Sequence, residues 1–184
     1  MLKKLAKFLF SILLAFIIVF GGFWMFFGDS VKEEYAAYRK SSAPILLYHA
    51  VGESVEIEWT PSLIMPASLF ESHLQYLNQE GYKVVSVEDL VSLLKNGGNL
   101  DKVVAMSFDD GYRNNHTDAL PLLKKYNAKA SFYIVHRDIG KTIYMGKDRL
   151  LDLLDSGMEI GSHTINHAPL ALIDPKYLPR SEEH

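Results

Sequence analysis

From Pro44 onward, short apolar runs alternate with stretches whose apolar residues recur at helical spacing. That alternation restricts the chain to α/β architectures built on a largely parallel sheet. Ile45-Leu46-Leu47-Tyr48, Tyr82 to Val87, Lys102 to Phe108, Ala130 to Val135 and Met158 to Ser162 read as five strands. The run Val103-Val104-Ala105-Met106 is apolar without interruption, as expected of a central strand buried on both faces. Between the strands, four stretches read as helices. In Ser68 to Glu80, Ser68 and Glu71 have capping-box spacing, and Phe70, Leu74 and Leu77 share a face. Leu90, Val91, Leu93 and Leu94 give the next stripe, and Asp118 to Tyr126 tolerates Pro121 in its first turn. Asp148 to Asp155 turns Leu150, Leu151, Leu153 and Leu154 inward. Residues 51–65 read as a long connection, with an extended piece at Val55, Ile57 and Trp59.

Length limits this architecture. The chain has 184 residues, and a closed eight-stranded (β/α) barrel takes about 250. Residues 44–184 suffice for roughly five strand–helix units at about 30 residues each. The expectation is an open sheet, or part of a barrel.

The N-terminus is a different kind of sequence. Lys3, Lys4 and Lys7 precede an uncharged run from Phe8 to Phe27, and Asp29, Glu33 and Glu34 follow it. As a helix that run would span roughly 30 Å, the thickness of a bilayer core. The lysines favour the cytoplasmic side, and Trp24 stands where an interfacial aromatic is expected. The run exceeds the apolar core of a signal peptide, and no small-x-small cleavage site precedes Asp29. Residues 1–28 therefore read as an uncleaved transmembrane anchor, 29–43 as a stalk, and 44–184 as a domain on the extracytoplasmic side. A formal net charge of −3 argues against nucleic acid as a partner. The absence of cysteine excludes disulfides, thiolate metal ligands, a cysteine nucleophile and a lipoprotein-type anchor.

Chemistry gathers at two strand ends. Asp109-Asp110-Gly111 follows the central strand, and His163-Thr164-Ile165-Asn166-His167 follows the last. Carboxylate oxygen and imidazole nitrogen are zinc ligands, so Asp110, His163 and His167 suit a divalent metal with one position left open. The four-residue spacing of the histidines would put both rings on one face of a helical turn. Thr164 stands where the His-Glu-x-x-His metalloproteases carry their base, which leaves Asp109 as the adjacent candidate. Taken separately, the two clusters read as a solvated turn and a surface histidine pair. Placed at the strand ends of one α/β sheet, they favour a single site. The same ligand set suits a non-haem iron oxygenase, but the second acid beside the ligand supplies the base that hydrolysis needs. His49 ends the first strand on the same side, as a contact to substrate or to the ligands. Tyr112 and Arg113 follow the carboxylates and could line a groove, whereas His116 and His136 read as surface residues. Asn115-His116-Thr117 matches a glycosylation sequon by chance.

Ser107-Phe108-Asp109-Asp110-Gly111 resembles the first motif of the polysaccharide deacetylases (the NodB homology domain, carbohydrate esterase family 4). Ser162-His163-Thr164-Ile165-Asn166-His167 is similar to their second. The resemblance runs from about Pro44 to Ile173 and takes in Ile45 to His49 and Ala130 to Ile134. It implies an α/β fold forming the N-terminal part of a deformed (β/α) barrel. Asp109 would be the general base, with Asp110, His163 and His167 holding a divalent metal, usually zinc. The implied reaction removes N-acetyl groups from an amino-sugar polymer: peptidoglycan, poly-N-acetylglucosamine or a chitin-like chain. Tyr48-His49 is similar to the exopolysaccharide branch. The family's Arg-Pro-Pro-Tyr-like third motif and its later histidine motif have no counterpart in these residues. The chain is therefore expected to be C-terminally truncated, lacking the residue that orients the base and the general acid. The alternative is an inactive remnant that binds metal or glycan.

Overall fold

The computed structural model describes residues 28–52, 63–172 and 174. The apolar run 8–27 and the extended piece expected at Val55, Ile57 and Trp59 lie outside the described residues, as does nearly all of the segment after Ile173. Among the described residues, no helix is long and apolar enough to cross a membrane. The chain divides into two compact units, Met1–Ser42 and Ala43–His184. In the first, residues 28–41 are helical (α1) and mostly exposed.

The second unit is mixed α/β. Strands β1 (Ile45–Tyr48), β4 (Lys83–Val85), β5 (Val103–Phe108), β6 (Ser131–Ile134) and β7 (Glu159–Ser162) form one five-stranded sheet, and every pairing is parallel. Its centre is β5, buried at all six positions. Ala105 pairs with both Ile45 and Val85, so β1 and β4 flank β5 on opposite sides. Ser107 and Phe108 pair with both β1 and β6, which puts β6 on the β4 side, further along the strand. The Lys129 N–H donates to Val84 O at 3.2 Å across that junction. Strand β7 continues the sheet beyond β6. Among the described residues β1 and β7 do not pair with each other, so the sheet is open there. A short parallel pair, β2 (Ala50–Val51) with β3 (Ile64–Met65), stands beside it.

Strand alternation sorts β5 between two cores. Val104, Met106 and Phe108 pack with residues of three helices: Phe70, Leu74 and Leu77 from α2 (Ala67–Gln79), Leu120 and Leu123 from α4 (Leu120–Lys125), and Leu153 from α5 (Lys147–Asp155). Val103 and Ala105 pack with Val85, Leu100 and Leu90, the last from α3 (Val87–Lys95). At the end of the strand, the Phe108 ring stacks on Phe132 (4.8 Å, 9°) and on Tyr48 (5.4 Å, 26°). The first carboxylate thus leaves a rigid aromatic layer.

Several local expectations are corrected. Pro66, in an extended conformation, occupies the cap of α2, so Ser68 lies inside the helix and caps nothing. Glu71 instead meets Lys125 Nζ at 2.5 Å. The second strand ends at Val85 because the Ser86 hydroxyl accepts from the Asp89 N–H (3.0 Å) and starts α3. The leucine-rich helices bury one stripe each: Val91, Leu94, Leu151 and Leu154 are exposed. Adjacent helical residues lie about 100° apart and cannot all face one sheet. Strand β1 runs along an edge, so Ile45 and Leu47 are largely exposed rather than buried. Strand β3 lies at the end of what read as a long connection, a few residues after the extended piece expected there. The stretch before α4 is a π-helical turn, Asn115–Ala119, and Pro121 falls in the first turn of α4 as expected. Asn115 is fully buried, which agrees with the sequon being incidental.

Candidate metal centre

The Asp109 N–H donates to Tyr48 O (3.0 Å), extending the β1–β5 ladder by one residue. The chain then turns through two successive left-handed residues, Asp110 (φ 70°) and Gly111 (φ 78°). Aspartate tolerates this region better than most residues. Glycine is needed next for a second reason, since a Cβ at 111 would sit 2.9 Å from Ile134 Cδ1. This turn drives the Asp110 side chain inward while Asp109 stays closer to solvent: their side chains are 7% and 17% exposed.

The histidine segment is anchored the same way. The His163 N–H donates to Ile134 O (2.9 Å), prolonging the β6–β7 ladder. Beyond it there is no helical turn, contrary to the spacing-based expectation. Thr164 (φ 66°) and His167 (φ 57°) are both left-handed. The turn is closed by short polar side chains: Ser162 Oγ accepts from the Thr164 N–H (3.2 Å), and Thr164 Oγ1 from the His167 N–H (2.9 Å). The threonine at the protease-base position is therefore a turn-forming residue. The rings converge by this route, 4.9 Å apart.

Asp110 Oδ1 lies 3.4 Å from His163 Nε2 and 3.4 Å from His167 Nε2. One ligand atom from each of the three residues falls within a 4.8 Å cluster. Two zinc bonds of about 2.0–2.1 Å at a tetrahedral angle separate neighbouring ligand atoms by roughly 3.3 Å, so the trio fits such an ion. Asp110 Oδ1 is moreover buried without a hydrogen-bond partner. A buried carboxylate oxygen in that state is costly, and a cation would offset the cost. His167, 59% exposed, leaves the centre open to solvent on one side.

Asp109 stands outside the trio, its Oδ2 3.9 Å from His163 Nε2. Burial raises its pKa above the usual carboxylate value, and Asp110 adds to this, while His163 and His49 oppose it. His49 is thus close enough to Asp109 for their charges to interact. Tyr112 does not line an open groove: it is buried in a small core with Ala50, Ile64, Ile143 and Tyr144. Its ring stacks on Tyr144 at 5.2 Å, and burial foremost pushes its pKa far above the ordinary phenol value, with the Asp110 charge adding to this. Arg113 is exposed, and His116 Nε2 pairs with Asp152 Oδ2 at 2.7 Å, away from the trio. Sequence reasoning named Ser162 and Thr164 but missed the turn they close, and it passed over Tyr144, which stacks on Tyr112. The first two carried a signal, as hydroxyls beside a turn. Tyr144 carried none.

A family model described as polysaccharide deacetylase matches residues 96–182. Bacillus subtilis YxkH, named among the polysaccharide deacetylases, is 31% identical over 139 residues, covering 75% of this chain and 48% of its own. The poly-beta-1,6-N-acetyl-D-glucosamine N-deacetylase of Staphylococcus epidermidis is 25% identical over 143 residues, covering 69% and 50%. Among solved structures, the Streptococcus pyogenes deacetylase PplD in complex with acetate superposes with a TM-score of 0.68 at 30% identity. That match covers 76% of this chain and 64% of PplD. The chain spans about half the length of these curated relatives.

Proposed function

The chain belongs to the polysaccharide deacetylase family, and from that premise we propose that it is a metal-dependent hydrolase removing N-acetyl groups from an amino-sugar polymer. The observation that carries this reading is the convergence of Asp110, His163 and His167 with a separate carboxylate, Asp109, beside them. A divalent ion in the trio, zinc by its ligand set, supplies Lewis-acid polarisation of the acetamide carbonyl and a more acidic water. Asp110 and the two histidines hold that position. Asp109 is the base: it is no member of the trio, yet its Oδ2 stands 3.9 Å from His163 Nε2, beside the ligands and uncommitted to them. The open side at His167 admits the sugar. Poly-N-acetylglucosamine, peptidoglycan and chitin-like chains are the candidate polymers, the first supported by the name of the Staphylococcus epidermidis relative.

The test measures acetate released from β-1,4- and β-1,6-linked N-acetylglucosamine oligomers and from peptidoglycan. Release should need zinc, stop on chelation and return when zinc is restored. Zinc uptake without release from any of the three would overturn the hydrolase in favour of a metal- or glycan-binding protein. Oxygen consumption with ferrous iron would favour the oxygenase.

We further propose that the domain works on the extracytoplasmic side of a membrane, held by the run Phe8 to Phe27. Support comes from Lys3, Lys4 and Lys7 before the run and Asp29, Glu33 and Glu34 after it. The full chain should stay with membranes through alkaline carbonate washing. Its release would remove the anchor.

A further inference from the structure

In helix α1, residues 28–41, every position from Asp29 to Tyr38 is exposed. A helix of this length is marginal in water unless one of its faces packs on something, because propensity alone barely offsets the cost of nucleation. Its outward residues are not uniformly polar. Val31, Tyr35 and Tyr38 are 61%, 62% and 64% exposed, and their spacing puts them in one stripe along the helix. A step of four followed by a step of three is that of the core positions of a coiled coil. With Val31 at d of a heptad abcdefg, Tyr35 falls at a and Tyr38 at d. Tyrosine suits such a seam, since its ring buries a large apolar area while its hydroxyl reaches the wet rim.

The charges beside the stripe name the partner. Lys32 and Arg39 fall at e and Glu34 at g, while Glu33 and Lys40 fall at f, on the far side of the helix. Two parallel copies in register bring Glu34 of each to Arg39 of the other, because a g residue faces the e residue five positions on in its neighbour. Antiparallel copies would instead oppose Glu34 to Glu34 and the basic e residues to one another. Lys32, the other e residue, already meets Asp29 of its own helix at 3.0 Å. We propose that α1 is a dimerisation element: two copies of this chain pair through it as a parallel coiled coil, with Val31, Tyr35 and Tyr38 in the seam and Glu34–Arg39 pairs along the rim. The pairing rests on α1 alone, and on neither the metal centre nor the anchor.

The chain contains no cysteine, so one introduced thiol reports one contact. The full chain is kept in mild detergent, and Val31→Cys and Tyr38→Cys are oxidised separately. Each should run mainly as a disulfide-linked dimer, since in the parallel register each thiol meets its own counterpart. Glu33→Cys, on the far side, should stay monomeric. Sedimentation of the wild-type chain should show a reversible dimer, and Tyr35→Asp a monomer. Glu34→Lys sets like charges across both rims and should weaken the dimer about 5-fold, and adding Arg39→Glu should restore it. A monomeric wild-type chain would overturn the proposal, as would a Glu33→Cys that cross-links as fully as Tyr38→Cys. A dimer unmoved by Glu34→Lys would overturn the parallel register. Cross-linking at neither Val31 nor Tyr38 would also overturn the pairing; lipid vesicles that then shield these thiols from a water-soluble maleimide would put a membrane surface in the place of the second copy.

Discussion

Asp109→Asn is expected to lower acetate release by about 10²- to 10⁴-fold, the usual contribution of a positioned general base, while zinc uptake stays within about 10-fold of wild type. The two effects separate because Asp109 lies outside the ligand trio. Asparagine preserves shape and the backbone bond to Tyr48 O, but its amide is not a base near neutral pH. The check pairs an acetate assay with a zinc titration on the same preparation. Undiminished release would remove Asp109 from the chemistry, whereas lost zinc uptake would move it into the ligand set.

Asp110→Asn should do the opposite, abolishing metal uptake without disturbing the fold. Asparagine tolerates the left-handed φ of 70° that the turn requires, so the β5 end keeps its path. The amide is a far poorer ligand than a carboxylate and leaves only His163 and His167. The loss should exceed the 10- to 100-fold typical of an outer partner. Calorimetric zinc titration with a thermal melt of the metal-free variant checks both halves. Retained affinity would mean that another group supplies the oxygen ligand.

Which side chains come together was legible in the residues, but the geometry by which they meet was not. Val103 to Met106 announced a buried strand, and Asp109-Asp110-Gly111 announced its turn, because apolar runs and turn glycines are local signals. His163 and His167 were identified correctly as neighbours for the wrong reason. Four-residue spacing suggested a helical turn, whereas the rings meet through left-handed residues at Thr164 and His167 and through the hydroxyls of Ser162 and Thr164. Propensity cannot reveal such a turn, since its stability comes from side chains bonding to backbone at those few positions. The leucine stripes were over-read for a related reason: composition shows that leucines are present, and only packing against the sheet selects which are buried.

The sequence alone determined which atoms are available for chemistry: two carboxylates after a buried strand, two imidazoles after another, and the expectation that both strands end on one side of a parallel sheet. The tertiary structure decided how those atoms meet. The parallel register of β5, β6 and β7 brings residues 109–111 and 163–167 to the same end of the sheet, on strands with β6 between them. Residues 136–145 then tie the two loops together, through backbone bonds of His136 and Arg137 with the histidine turn and of Met145 and Ile143 with the aspartate loop. The tertiary structure also turned Tyr112 from a candidate groove residue into a buried one stacked on Tyr144, which no spacing pattern singles out. The physical reason is that these contacts join residues distant in the chain. Their free energy exists only once the sheet has assembled, so a local reading of the residues can supply the parts but not their arrangement.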